Sequence, residues 1–217
     1  MTTDRTSGEN YKNRQPDHDL DRRYGRIAIS ALVAVLPYRS ESKSAAPQSA
    51  EARKDREAYA HFLQRYMFVN APARASAEFL RGVYRDAKAS RDGLWSGAAA
   101  VPLGALVRKL RGTGEIELSR EIHAELVADL AGAPNEDARV FVLKALGNAA
   151  TPGDEATLAP YARDSSPYVR DQVAFSLRHL DTETARATIL DLVNDANANV
   201  AVTAVRALRR QSMTGDE

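Results

Sequence analysis

Residues 165–178 read SSPYVRDQVAFSLR and residues 196–209 read ANANVAVTAVRALR, and both align with residues 134–147, PNEDARVFVLKALG. Leu146, Leu177 and Leu208 thus recur every 31 residues. The register is shared by Val142, Val173 and Ala204, by Leu143, Ala174 and Val205, and by Ala138, Val169 and Val200. A second apolar set, Val127, Leu158 and Ile189 with Leu130, Tyr161 and Leu192, keeps the same period. Two apolar helical stripes per repeat predict a helix–turn–helix unit stacked on copies of itself. The fold class that follows is all-α, a short α-solenoid of helical hairpins.

Working outward, the pattern divides into hairpins over residues 117–149, 151–180 and 182–211. Each second helix follows a polar turn, and Asn135, Ser166 and Asn197 fall at equivalent positions, where a side-chain oxygen can cap the free N–H groups of a helix start. Ahead of them, residues 93–112 contain Trp95, the small run Gly97–Ala100 that lets backbones approach closely, and an apolar face of Leu103, Leu106, Val107 and Leu110. The repeat array is expected over 93–211, with residues 212–217 as a tail. A solenoid ordinarily ends in a polar capping element. None is visible here, which suggests a continuation, a partner or a short array.

Residues 1–16 are polar and aperiodic and are expected to form a disordered lead-in. Residues 17–92 are expected to hold the N-terminal helices. Leu20, Tyr24, Ile27, Ala31 and Val35 share one helical face that stops at Pro37. After a small, polar linker over 38–50, a helix from Ser49 through Met67 and another from Ala75 to Ala89 are expected to pair as an antiparallel hairpin.

The apolar run Ile27–Leu36 is ten residues long, about half of what a bilayer requires. It also lacks the small-residue site of a signal peptide and reads as a buried helix. Lys and Arg number 30 against 29 Asp and Glu, a net charge of +1 that gives no global pull toward nucleic acid or an anionic membrane. With no cysteine there is no disulfide, thiolate nucleophile or cysteine-held metal. The compartment stays open, the cytoplasm being slightly favoured over secretion.

The signature Val169-Arg170…Val173-Ala174…Leu177-Arg178 resembles HEAT repeats. In such arrays an aspartate six residues ahead of the arginine, here Asp164 before Arg170, brackets the turn. Asp195 is kept in the next repeat but Ala201 replaces the arginine, so that pair is not expected to recur. A narrower resemblance lies in Leu143-Lys144-Ala145-Leu146-Gly147-Asn148-Ala149 with Leu103-Gly104-Ala105-Leu106-Val107 upstream. Residues 95–210 are similar to the helical subdomain of the vitellogenin and microsomal triglyceride transfer protein family of lipid carriers. That resemblance implies a helical packing and interaction layer. The β-sheets that hold lipid in those carriers have no counterpart here, since period-two alternation is missing.

No catalytic constellation emerges. His18, His61, His123 and His179 are far apart and lack metal-ligand spacing, and no phosphate-binding or nucleophile motif occurs. Glu115 with Glu117 and Asp181 with Glu183 sit in polar turns and read as solvated charge. No cofactor is expected. Trp95 with Tyr84 and Phe79 either lines a groove or packs the core.

The one cluster to test is Arg170, Arg178, His179, Arg206, Arg209 and Arg210, since Arg178 and Arg209 are equivalent by the repeat. It reads either as a binding ridge for phosphate or carboxylate or as a solvated face, because arginine also suits helix C-termini. Phe175 is the lone aromatic nearby, against the interleaved stacking of single-strand binders. The functional expectation is a non-enzymatic scaffold binding a protein partner along its concave face. A lipid- or lipoprotein-associated module, or anion or nucleic-acid binding by the ridge, are the alternatives.

Overall fold

The computed structural model describes residues 73–212, and among these every regular element is helical. The expected lead-in, the helices over 17–36 and 49–67, the linker and most of the tail lie outside the described residues. Four helical pairs follow in order. The first is α1 (Ala73–Ala89) with α2 (Gly93–Gly112), and the second is α3 (Ile116–Ala131) with α4 (Glu136–Ala149). The third is α5 (Asp154–Leu158), continued by a 3-10 segment (Ala159–Arg163), with α6 (Pro167–Leu177). The fourth is α7 (Glu183–Val193) with α8 (Ala198–Ser212).

The three repeat hairpins appear where the 31-residue period places them. Their caps form as the residue types dictate: Asn135 accepts from the Ala138 N–H at 2.9 Å, Ser166 from Tyr168 at 3.2 Å and Asn197 from Asn199 at 3.0 Å. The first helix of the third hairpin is shorter than its equivalents. Pro160 lacks an N–H to donate to the helical ladder, so the α-helical turns end at Leu158 and the chain tightens into a 3-10 segment.

The helix α1 packs on α2, its successor, and the helix expected to pair with it lies outside the described residues. Leu80 and Tyr84 of α1 and Leu103, Leu106 and Leu110 of α2 are buried in the same core as the repeat leucines. That core runs through all four pairs: Leu143, Leu146, Val173, Leu177, Ile189 and Ala204 have almost no solvent exposure. Each pair buries its stripes against its neighbours, so the stack shares one continuous core. Trp95 and Phe79 pack against this core from its edge and Tyr84 lies within it, the core-packing role of the two considered.

The two helical layers are spaced differently. The second helices come almost into backbone contact. A Cβ on Gly104 of α2 would fall 1.9 Å from the Ala145 carbonyl oxygen, and one on Gly147 of α4 would fall 2.5 Å from Ser176 Cα. The Ser176 hydroxyl then donates to the Leu143 carbonyl at 2.8 Å. In the first-helix layer, α1 and α3 are instead joined by long side chains, with Arg81, Arg85 and Lys88 reaching Glu121, Glu125 and Asp129. Closer spacing on one side bends a stack toward that side, so the second helices line the concave face.

The turns carry a ladder that corrects one sequence expectation. Arg170 does not bridge to the Asp164 carboxylate within its own hairpin; it reaches the next hairpin and holds Asp195 through Nε at 2.7 Å and Nη2 at 2.9 Å. Asp164 pairs in turn with Arg139 of the preceding hairpin at 2.6 Å. The same aspartates shape their loops, accepting from the N–H of Ser166 at 2.9 Å and of Asn197 at 2.8 Å. Within its own hairpin the Arg170 guanidinium donates through Nη1 to the backbone carbonyls of Asp164 and Ser165, while the Asp164 carboxylate turns to Arg139. Ala201 therefore ends the ladder after Asp195, not before it.

Candidate functional site

The concave face is a grid set by the repeat. Its rows are Val140, Asp171 and Val202; Lys144, Phe175 and Arg206; and Asn148, His179 and Arg210, each from α4, the α6 region and α8 in turn. None of these nine is fully buried, as befits the side of the second helices turned away from the first. Charge is unevenly placed along it: the acidic residues Asp137 and Asp171 lie toward the helix starts and the basic ones toward the helix ends.

The centre of the basic end is Arg178, the residue that caps the C-terminus of α6. Its guanidinium lies over the Phe175 ring, 3.6 Å from the centroid. Nη2 donates to Asn148 Oδ1 at 3.2 Å, and Nη1 donates to the Phe175 carbonyl, one of the groups that a helix end leaves free. Burial first, and then the cations Arg210 and Arg108, push the pKa of the Arg178 guanidinium down to about 10. His179 feels burial and then Arg178, Arg210 and Arg108, and its pKa is pushed down to about 4, so its ring is neutral at pH 7. Four basic side chains from α2, the end of α6 and α8 thus meet in one place.

The sequence-predicted ridge is divided by the structure. Arg178, His179 and Arg210 come together, and Arg206 and Arg209 stand exposed on α8 beside them. Arg170 lies two helical turns away, is committed to Asp195, and belongs to the turn ladder. Arg108 is the residue that sequence reasoning missed. Its helix α2 stands 43 residues, not 31, ahead of its counterpart position in α4, as the Gly104 and Gly147 contacts show, so the repeat register carries no signal for it.

Two residues of the Leu143–Ala149 motif have structural roles at this face. Gly147 admits α6, and Asn148 links three helices, donating from Nδ2 to the Val101 carbonyl at 3.3 Å while accepting from Arg178.

A cleft of about 440 Å³ between α1 and the start of α3 is lined by Arg74, Glu78, Arg81, Glu115 and Glu121, which pair with one another. His123 Nε2 lies 2.7 Å from Asp154 Oδ1 and ties α3 to α5. Asp181 and Glu183 are exposed. Among the described residues no group of three or more His, Asp or Glu converges to hold a metal, and no helix is long and apolar enough to cross a membrane.

Residues 123–209 match the family of HEAT repeats. No curated protein matches the chain. The match runs from the middle of α3 into the last turns of α8 and takes in the 31-residue period, the capped turns and the Asp–Arg ladder. The architecture is an all-α, HEAT-like α-solenoid.

Proposed function

We propose that this chain is a non-enzymatic scaffold that binds a protein partner along the concave face of its second helices. HEAT repeats generally serve as scaffolds for protein interaction, and that general role supports the reading. The observation that carries it is the make-up of the face. Tyr168 is 71% exposed and Val202 47%, two large apolar residues toward the helix starts of a face whose other end holds the preorganised cationic cluster around Arg178. Exposed aromatic and arginine side chains are the types that anchor protein interfaces. The lipid-associated alternative rests on the Leu143–Ala149 sequence, and the roles of Gly147 and Asn148 give that sequence a packing reason.

The test is site-specific photo-cross-linking in an extract of the source cell. A photoreactive residue at Tyr168 or Val202 is expected to capture one discrete protein. The same residue at Leu190, exposed on α7 in the first-helix layer, is expected to capture none. Equal capture at Leu190, or no capture from the concave positions, would overturn the reading.

A further inference from the structure

The basic end of the concave face has no internal counter-charge. Among the described residues no carboxylate forms an ion pair or hydrogen bond with Arg108, Lys144, Arg178, Arg206 or Arg210. The contrast with the first-helix layer is direct, because there Arg81, Arg85 and Lys88 are matched one by one with Glu121, Glu125 and Asp129.

The cluster is also built. Arg178 is held flat on Phe175 and anchored by Asn148, so little side-chain freedom remains to be lost when an anion arrives. Arg178 uses two of its N–H groups, on the Phe175 carbonyl and Asn148, and keeps others, and a planar guanidinium suits a planar carboxylate that accepts two parallel hydrogen bonds. Arg210 and Arg108 lie close enough to repel it, and an anion placed among the three relieves that repulsion.

The extent of the patch selects among anions. Positive charge stops at the helix ends, while Asp137 and Asp171 occupy the other end of the same face. A nucleic-acid strand tracking across the stack needs a continuous basic path, and its phosphates would meet these carboxylates. A short peptide does not. Its carboxylates fit the basic end and its apolar side chains fit Phe175, Tyr168 and Val202.

We infer that the concave face recognises a short Asp/Glu-rich segment of its protein partner, whose carboxylates are bound by Arg178 with Arg108, Arg206 and Arg210. This rests on the scaffold reading above and supplies the chemistry of the partner.

The experiment is fluorescence anisotropy of the full chain at low salt with labelled octaglutamate and, separately, a labelled thymidylate octamer. Octaglutamate is expected to bind and to be released as salt is raised. R206Q/R210Q, two exposed positions whose replacement leaves the core untouched, is expected to weaken binding by about fivefold or more, since an exposed pair is worth up to about fivefold. R186Q, exposed on α7 in the other layer, is expected to leave it unchanged. Saturating peptide is also expected to raise the His179 titration midpoint, a change that non-specific attraction elsewhere would not produce.

No measurable peptide binding, affinity indifferent to R206Q/R210Q, or tighter binding of the thymidylate would overturn the inference. If cross-linking from Tyr168 and Val202 persists when octaglutamate binding fails, the acidic ligand is wrong and the partner face stands. If cross-linking fails as well, both fall.

Discussion

The Arg170 guanidinium closes on the Asp195 carboxylate through two hydrogen bonds of 2.7 and 2.9 Å, joining the second helix of one hairpin to the turn of the next. Asp195 is little exposed, so loss of its partner would leave a largely buried carboxylate. Arg170→Ala is expected to lower stability by about 1–3 kcal/mol, measured by urea unfolding. The pH dependence has a definite sign. Arg170 holds the Asp195 carboxyl below its ordinary range, with help from the Asn197 N–H and against the effect of burial. The resulting stabilisation is fully present above the unfolded carboxylate value of about 3.9 and is lost as pH falls through the depressed folded value. Asp195→Asn is expected to flatten that part of the acid limb.

The glycines of the second helices divide by what surrounds them. Gly104→Ala would drive a methyl into the Ala145 carbonyl and is expected to cost about 1–3 kcal/mol or more, since neither backbone can yield cheaply. Gly82, inside α1, has open space around its Cα. Gly82→Ala is expected to stabilise by about 0.5–1 kcal/mol through helix propensity alone. Thermal melts of the two variants moving in opposite directions would check both.

Leu177 is fully buried in the seam between hairpins. Leu177→Ala is expected to cost about 2–5 kcal/mol and Leu177→Asp more, because the carboxylate has no partner there. A melting temperature unchanged in Leu177→Asp would contradict the 31-residue register that places Leu177 in the seam.

His179 is expected to titrate with a midpoint of about 4 in the folded chain, read from its ring resonances by NMR. An unfolded histidine titrates near about 6.5, so the folded chain binds this proton less readily. Stability from this group is therefore complete above about 6.5 and declines as pH falls toward the folded midpoint. Arg210→Gln removes one of the cations that disfavour the imidazolium, and is expected to raise the midpoint.

Much of the candidate site is legible in the sequence, and the departures have physical causes. Arg178, His179 and Arg210 fall together in the repeat register and lie together in the fold, because register and helical spacing are both local properties. Arg170 leaves the ridge because register says that it lies on a second helix but not which neighbouring loop captures its side chain. Arg108 carries no signal because its hairpin departs from the 31-residue spacing. The Asp164–Arg170 pairing fails for a related reason: sequence proximity suggests a partner that side-chain direction and the next hairpin supply instead.

The class of fold, the period, the hairpin boundaries of the repeats and their caps are all legible in the residues alone. Those follow from apolar spacing and from side chains that bond to backbone within a few residues. Which helices touch at glycine, which aspartate each turn arginine holds, and which cations lie near Arg178 emerge only once the hairpins are stacked. Those depend on how far apart successive hairpins stack, a distance set by packing between residues 25 to 70 positions apart.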